Sequence, residues 1–247
     1  MSRRRLQLVI LCYDIQHRAF AKGLFEARGF RNIRFLPIPE GRGAATQYVF
    51  KHYPNRVKAY RILAHRHHCC HALAVFIDAD NRSVENRLME LDEQLQLNDL
   101  EKRQSKDKIA LFVPKMHIET WLMYLIQRLV DSKNVDEETP YKNDYKRIYR
   151  VRDCIAYAKK FANDICPSGR LPLEAPPSLH KACDELKKIL NLLDKSTLFL
   201  KFLFWYFDSC KVRLALLIRN QSTTDTLNQR ILGMNQIGKI LIFNRFF

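Results

Sequence analysis

Four short apolar runs punctuate the first half of the chain, and a segment of helical spacing follows each one. The runs are Leu6–Cys12, Ile33–Pro37, Ala72–Ile77 and Ile109–Val113. They are too short for helices, rich in β-branched and aromatic residues, and mostly apolar throughout. That pattern predicts buried strands of a parallel sheet. Between them, residues 16–28 place Phe20, Leu24 and Phe25 on one helical face, with Gly29 positioned to close the helix. Residues 46–68 are predicted helical but interrupted at Pro54. Residues 83–97 align Val84, Leu88, Leu91 and Leu95, and residues 114–121 open a fourth helix. The order β-α-β-α-β-α-β-α predicts an α/β domain with a parallel sheet covered on both faces.

After Gln127 the texture changes. Residues 130–146 are polar and charged, 145–162 are predicted helical, and a Pro-rich loop runs from Cys166 to Pro177. Ser178 is the expected cap of a last helix, 179–193. Residues 195–247 carry aromatic clusters, eight Lys/Arg and two Asp. They read as a basic tail of uncertain fold, either an added segment or the product of an altered reading frame. The expected division is therefore 1–128 (α/β), 129–194 (helical C-terminal extension) and 195–247 (tail).

Charge and cysteine usage narrow the functional classes. A formal net charge of +16 points to an anionic partner, with nucleic acid ahead of a membrane surface. No apolar stretch approaches the ~18 residues of a membrane span, and the run ending at Cys12 lacks a cleavage site, so no membrane association is expected. Seven cysteines with no Cys-x-x-Cys spacing fit free thiols in a reducing cytoplasm.

Candidate chemistry gathers where strands end. Asp14 follows the first strand, Asp78 and Asp80 follow the third, and Glu119 lies just beyond the fourth. In open α/β sheets ligands bind outside the carboxyl ends of the strands. Four carboxylates converging there repel one another unless a cation joins them. Mg²⁺ or Mn²⁺ is the expected cofactor, activating water for phosphodiester cleavage, with Asp14, Asp78, Asp80 and Glu119 as ligands. Lys115 is placed to contact a phosphate. His17, three residues after Asp14, is a proton donor, a metal ligand or a polar helix residue. Plainer roles exist for two of the acids: Asp80-Asn81 as a turn and cap, and Glu119 as a first-turn acid favoured by the helix dipole. The His65–His71 cluster of histidines and cysteines is too dense for a tetrahedral zinc site and reads as a basic helix end. Arg42, in a two-glycine loop, and Lys142, Lys146, Arg147 and Arg150, interleaved with tyrosines, are the expected nucleic-acid contacts.

The first strand ending at an acid, the Asp78-x-Asp80 pair closing the third, and the 114–121 stretch Pro-Lys-Met-His-Ile-Glu-Thr-Trp together resemble a Toprim domain. The resemblance spans residues 6–125 and is to Toprim nucleases of the overcoming-lysogenization-defect type and related anti-phage proteins. It implies a Toprim-like fold and a metal-dependent nuclease of DNA or RNA in bacterial anti-phage defence, working beside an ATPase. The chain has no Walker motif, so that ATPase is expected to be a separate subunit. The family places a catalytic glutamate where this chain has Tyr13. A phenol of pKa about 10 cannot replace a carboxylate as a ligand at neutral pH. Asp14 is then the substitute ligand, or else the protein is a catalytically impaired nucleic-acid-binding subunit. A third expectation is a nucleotide-binding regulator using the Gly41/Gly43 loop.

Overall fold

A computed structural model describes residues 7–39, 45–67, 71–130, 135–165 and 171–190. The chain divides into two compact units, Met1–Leu193 and Asp194–Phe247. All described residues belong to the first; the expected tail, Arg42 and the Gly41/Gly43 loop lie outside them. Among the described residues, no helix is long and apolar enough to cross a membrane.

Four strands, β1 (Gln7–Cys12), β2 (Asn32–Phe35), β3 (His71–Phe76) and β4 (Ile109–Phe112), form one all-parallel sheet in the order β2-β1-β3-β4. The first three are joined by helices α1 (Ile15–Ala27) and α2 (Ala45–His67). Helix α3 (Val84–Gln96) precedes β4, and α4 (Ile118–Val130) follows it. The strands read as apolar runs because both faces are covered. Leu8, Ile10, Ala74, Phe76, Ala110 and Phe112 face one layer with α1 and α4. Leu11, Leu73, Val75, Ile109 and Leu111 face the other, with Val49, Tyr53 and Val57 of α2 and Leu91 and Leu95 of α3. The chain leaves β1 for β2 on one side, then crosses to β3 on the other. The carboxyl ends of β1 and β3 thus flank the topological switch point, where such sheets open a crevice.

Helix α2 continues through Pro54. The expected interruption does not occur: Val49, Tyr53, Val57 and Tyr60 form a buried stripe against the sheet, and its burial outweighs the ~3 kcal/mol a mid-helix proline costs. Helix α1 ends as expected, with Gly29 at φ 86° and the Phe30 N–H donating to Phe25 O at 3.0 Å.

The extension packs directly on the α/β layer. The single helix expected over 145–162 is two helices, α5 (Lys142–Ile148) and α6 (Val151–Lys160), continued by a π-helical turn at Phe161–Ile165. The break falls at Arg150, whose N–H donates to Asp153 Oδ2 at 2.7 Å and starts α6. Helix α6 lies against α1 at Gly23, where a Cβ would sit 2.4 Å from Ile155 O. Helix α7 (Pro177–Leu190) begins one residue before Ser178, so Ser178 is not its cap. The Ser178 hydroxyl instead accepts from Trp121 Nε1 at 2.7 Å and donates to Glu137, whose Oε1 also accepts from the Ser178 N–H at 3.0 Å. Helix α7 also covers the free edge of β4: Glu185 Oε2 accepts the Leu111 N–H at 2.9 Å and pairs with Arg103.

Candidate metal centre

The crevice is built from the residues that immediately follow β1, β3 and β4. After β1, the Tyr13 N–H donates to Phe76 O, and Asp14 turns the chain into α1. Asp14 is the N-cap: its Oδ1 accepts from the N–H groups of Gln16 and His17, both at 2.9 Å. The same oxygen lies 2.8 Å from His17 Nδ1. The other ring nitrogen, His17 Nε2, lies 2.9 Å from Asp78 Oδ1. That second contact is an ion pair off the ideal hydrogen-bond direction, since neither atom finds a well-aligned partner. His17 is fully buried. An imidazole between two carboxylates satisfies both only as the imidazolium. Burial opposes that charge, but Asp78 and then Asp14 outweigh it and raise the His17 pKa to about 10. In return, Asp14 is held well below the usual carboxylate range: burial pushes it up, and the imidazolium and backbone donors more than reverse that.

Asp78 is buried, and its two oxygens have different partners. Oδ1 faces His17, and Oδ2 lies 3.3 Å from His117 Nδ1. Asp80 repeats the arrangement: Oδ2 lies 3.2 Å from Arg87, and Oδ1 is 3.7 Å from the same His117 Nδ1. Its φ of 55° is the left-handed region, which Asp tolerates better than most residues and which turns its side chain into the crevice. Arg87, itself buried, fixes this turn by also donating to Ala79 O at 3.2 Å and to Glu90 Oε2 at 2.8 Å. Ser83 caps α3 by accepting from the Asn86 N–H, so the Asp80-Asn81 pair is not the cap.

Asp78 Oδ2, Asp80 Oδ1 and His117 Nδ1 thus converge, and ligand atoms of these three residues all lie within 4.8 Å of one another. The group can hold a metal ion. Burial and then Asp78 raise the Asp80 pKa, while the hydrogen bond to Asp78 raises that of His117. A cation of charge two relieves both perturbations. Behind them, Glu119 in the first turn of α4 is buried, and its Oε1 has no hydrogen-bond partner. Burial, then the charge on Asp78, pushes its carboxyl up. An orphaned buried carboxylate oxygen beside two paired acids is a donor that a cation could satisfy.

The expected residues therefore separate. Asp78 and Asp80 meet. Asp14 and Glu119 line the same crevice but fall outside the converging set, because Asp14 Oδ1 is committed to the α1 cap and to His17. Lys115 Nζ lies 2.9 Å from Glu138, an exposed acid. The positive charge of Lys142, at the start of α5, bears on Asp80 and His117 and so reaches the crevice. Arg150 is exposed at the start of α6, and the side chains of Lys146 and Arg147 lie outside the described residues. Sequence reasoning did not assign His117 to the metal set. Its signal was its place two residues before Glu119, in the loop between β4 and α4. Tyr13 packs its ring 5.4 Å from that of His17, and burial, then Asp80 and Asp78, keep its phenol neutral. Cys12, Cys154 and Cys183 are buried and stand outside any disulfide. Comparison with protein-family models, with curated proteins and with solved structures finds no match to this chain.

Proposed function

We propose that the chain is a metal-dependent nuclease of Toprim-like fold that cleaves phosphodiester bonds in DNA or RNA. The observation that carries this reading is the convergence of Asp78, Asp80 and His117 at the switch point of a parallel sheet. A divalent cation held there supplies Lewis acidity and a more acidic bound water. The donor set of two carboxylates and one imidazole fits Mn²⁺ better than Mg²⁺, which prefers oxygen alone. The protein's own groups do the rest. His17 and Arg87 each occupy one oxygen of a carboxylate and leave the other free for the crevice. Lys142, and Lys115 once released from Glu138, bring positive charge to a bound phosphate. Burial, then Asp78, pushes the Glu119 carboxyl up, so it holds its negative charge less firmly than a free glutamate. Bacterial anti-phage defence beside a separate ATPase, in the cytoplasm, is the setting this reading carries.

One observation favours the alternative of a catalytically impaired nucleic-acid-binding subunit. The end of β1 offers Tyr13 and a carboxylate whose Oδ1 is engaged by His17, and that carboxylate lies outside the converging set. The test is cleavage of plasmid DNA and bulk tRNA with Mn²⁺ or Mg²⁺ by wild type, Asp78→Ala and Tyr13→Glu. Mn²⁺-dependent cutting that Asp78→Ala abolishes is the expected result. Cutting by Tyr13→Glu alone establishes the impaired subunit. Binding without cutting in all three rejects the nuclease reading for the isolated chain.

A further inference from the structure

The positive charge of the chain is unevenly distributed along the sequence. Residues 15–71 hold eleven Lys/Arg against two Asp/Glu, whereas residues 72–130 hold eight against ten. Helix α2 is the extreme case: 23 residues with five Lys/Arg and no acid. Its buried stripe sets its orientation, so Lys51, Asn55 and Lys58 share the outward face and all three are exposed. Arg56 turns from that face toward β2, where it lines a cleft of about 100 Å³ together with Arg34, Ala59 and Leu63. The Arg56 Nε is buried without a hydrogen-bond partner. Among the described residues, none of Arg34, Lys51, Arg56 and Lys58 has a carboxylate within ion-pair distance, although Arg61 on the flank toward α3 pairs with Asp107 at 2.9 Å. Partial burial, then Arg56 and Lys51, pushes the His52 imidazole down, as uncompensated cations would.

The strip also starts at the crevice. Thr46 stands in the first turn of α2. One turn later, Phe50 lies beneath Arg87, the residue that holds Asp80, with the guanidinium carbon 5.4 Å from the ring centroid. From Lys51 to Lys58 the cations extend about 10 Å along the helix, away from the metal set. Clustered unpaired cations destabilise a fold by repulsion, so their persistence along one helix calls for an anionic counterpart. A chain of phosphates has the matching charge and repeat.

We propose that the outer face of α2 and the adjoining β2 edge, through Arg34, Lys51, Arg56 and Lys58, form the track on which the phosphate backbone of a nucleic acid lies as it enters the crevice. This deepens the nuclease reading and rests on it for the identity of the anionic chain. Backbone contacts of this kind position the polymer and carry no sequence preference.

The test is fluorescence anisotropy with a labelled 30-base-pair DNA duplex and with single-stranded DNA and RNA of the same length, using the full chain in EDTA across a salt series. EDTA separates this inference from metal chemistry. Lys51→Ala/Lys58→Ala should weaken duplex binding about tenfold at 0.1 M salt and lower the salt slope by about 2, near 0.9 per lost phosphate contact. The charge-matched control Lys159→Ala/Lys187→Ala removes two cations already paired with Glu26 and Asp184 and should stay within about twofold. Equal weakening in both variants assigns binding to net charge and overturns the track. No weakening in Lys51→Ala/Lys58→Ala overturns it too, as does wild type that ignores all three nucleic acids and sediments with phosphatidylserine vesicles. If binding follows this pattern but no metal condition gives cleavage, the track stands and the nuclease reading alone fails.

Discussion

Each carboxylate of the metal set is divided between a cation of the protein and the open crevice. Asp78 gives Oδ1 to His17, and Asp80 gives Oδ2 to Arg87. The consequence for stability is sharpest at His17. Its folded pKa of about 10 stands above the unfolded value near 6.5. A raised pKa stabilises the fold fully below pH ~6.5, and that stability is lost as pH rises through about 10. Asp14 works in the opposite sense: its depressed pKa adds stability above pH ~4 that is lost in acid. The Asp14–His17–Asp78 link should therefore be strongest between about pH 4 and 6.5. Urea unfolding in EDTA should show wild type losing several kcal/mol from pH 6.5 to 10. His17→Gln, about 3 kcal/mol less stable at pH 6 because two buried carboxylates lose their shared cation, should show a much flatter profile. Parallel profiles for the two proteins would mean that His17 is neutral in the fold.

At the scale of elements, the strands and first four helices were legible because each has a single dominant period and both sheet faces are apolar. Three features were not. Helix α2 keeps Pro54 because its cost is local while the stripe from Val49 to Tyr60 is buried along three turns. The pair α5 and α6 share one amphipathic pattern, and only the Asp153 carboxylate, accepting the Arg150 N–H, marks where one ends. Ser178 looks like a cap in sequence, but its hydroxyl links Trp121 of α4 to Glu137, a tertiary contact that no local pattern encodes. The same limit applies to the site. The Asp-x-Asp at the end of β3 was visible as a pattern, whereas the place of His117 between two carboxylates depends on how β4 pairs with β3. Gly23 tests the packing of the extension on the α/β layer. A methyl there would sit 2.4 Å from Ile155 O and 2.8 Å from the Ala158 Cβ. Gly23→Ala gains helix propensity of nearly 1 kcal/mol, yet forced separation of α1 and α6 should leave it about 2 kcal/mol less stable overall. Equal or greater thermal stability would show that the two helices can part without cost.

For the molecule as a whole, the chain carries a net charge of +16, whereas the crevice gathers Asp14, Asp78, Asp80 and Glu119. On the proposed nuclease reading, the positive charge would draw in a polyanion, and a cation in the crevice would let phosphate approach those acids. Metal binding should then be read directly as stability. A ligand at a hundred times its Kd stabilises the folded state by about 2.7 kcal/mol. For a compact unit of this size that is a rise of roughly 5–10 °C in Tm. Mn²⁺ should produce it, while Asp78→Asn and His117→Ala should remove it and Gly23→Ala should keep it from a lower starting point. The imidazole donor makes the choice of metal informative. With His117 in the set, Mn²⁺ should stabilise wild type more than Mg²⁺ at equal concentration, and His117→Ala should bring the two metals together. If Mg²⁺ instead equals Mn²⁺ in wild type and His117→Ala changes neither, the cation is held by oxygen alone. The orphaned Oε1 of Glu119 is then the donor that completes Asp78 and Asp80, and Glu119→Gln becomes the variant that abolishes the shift.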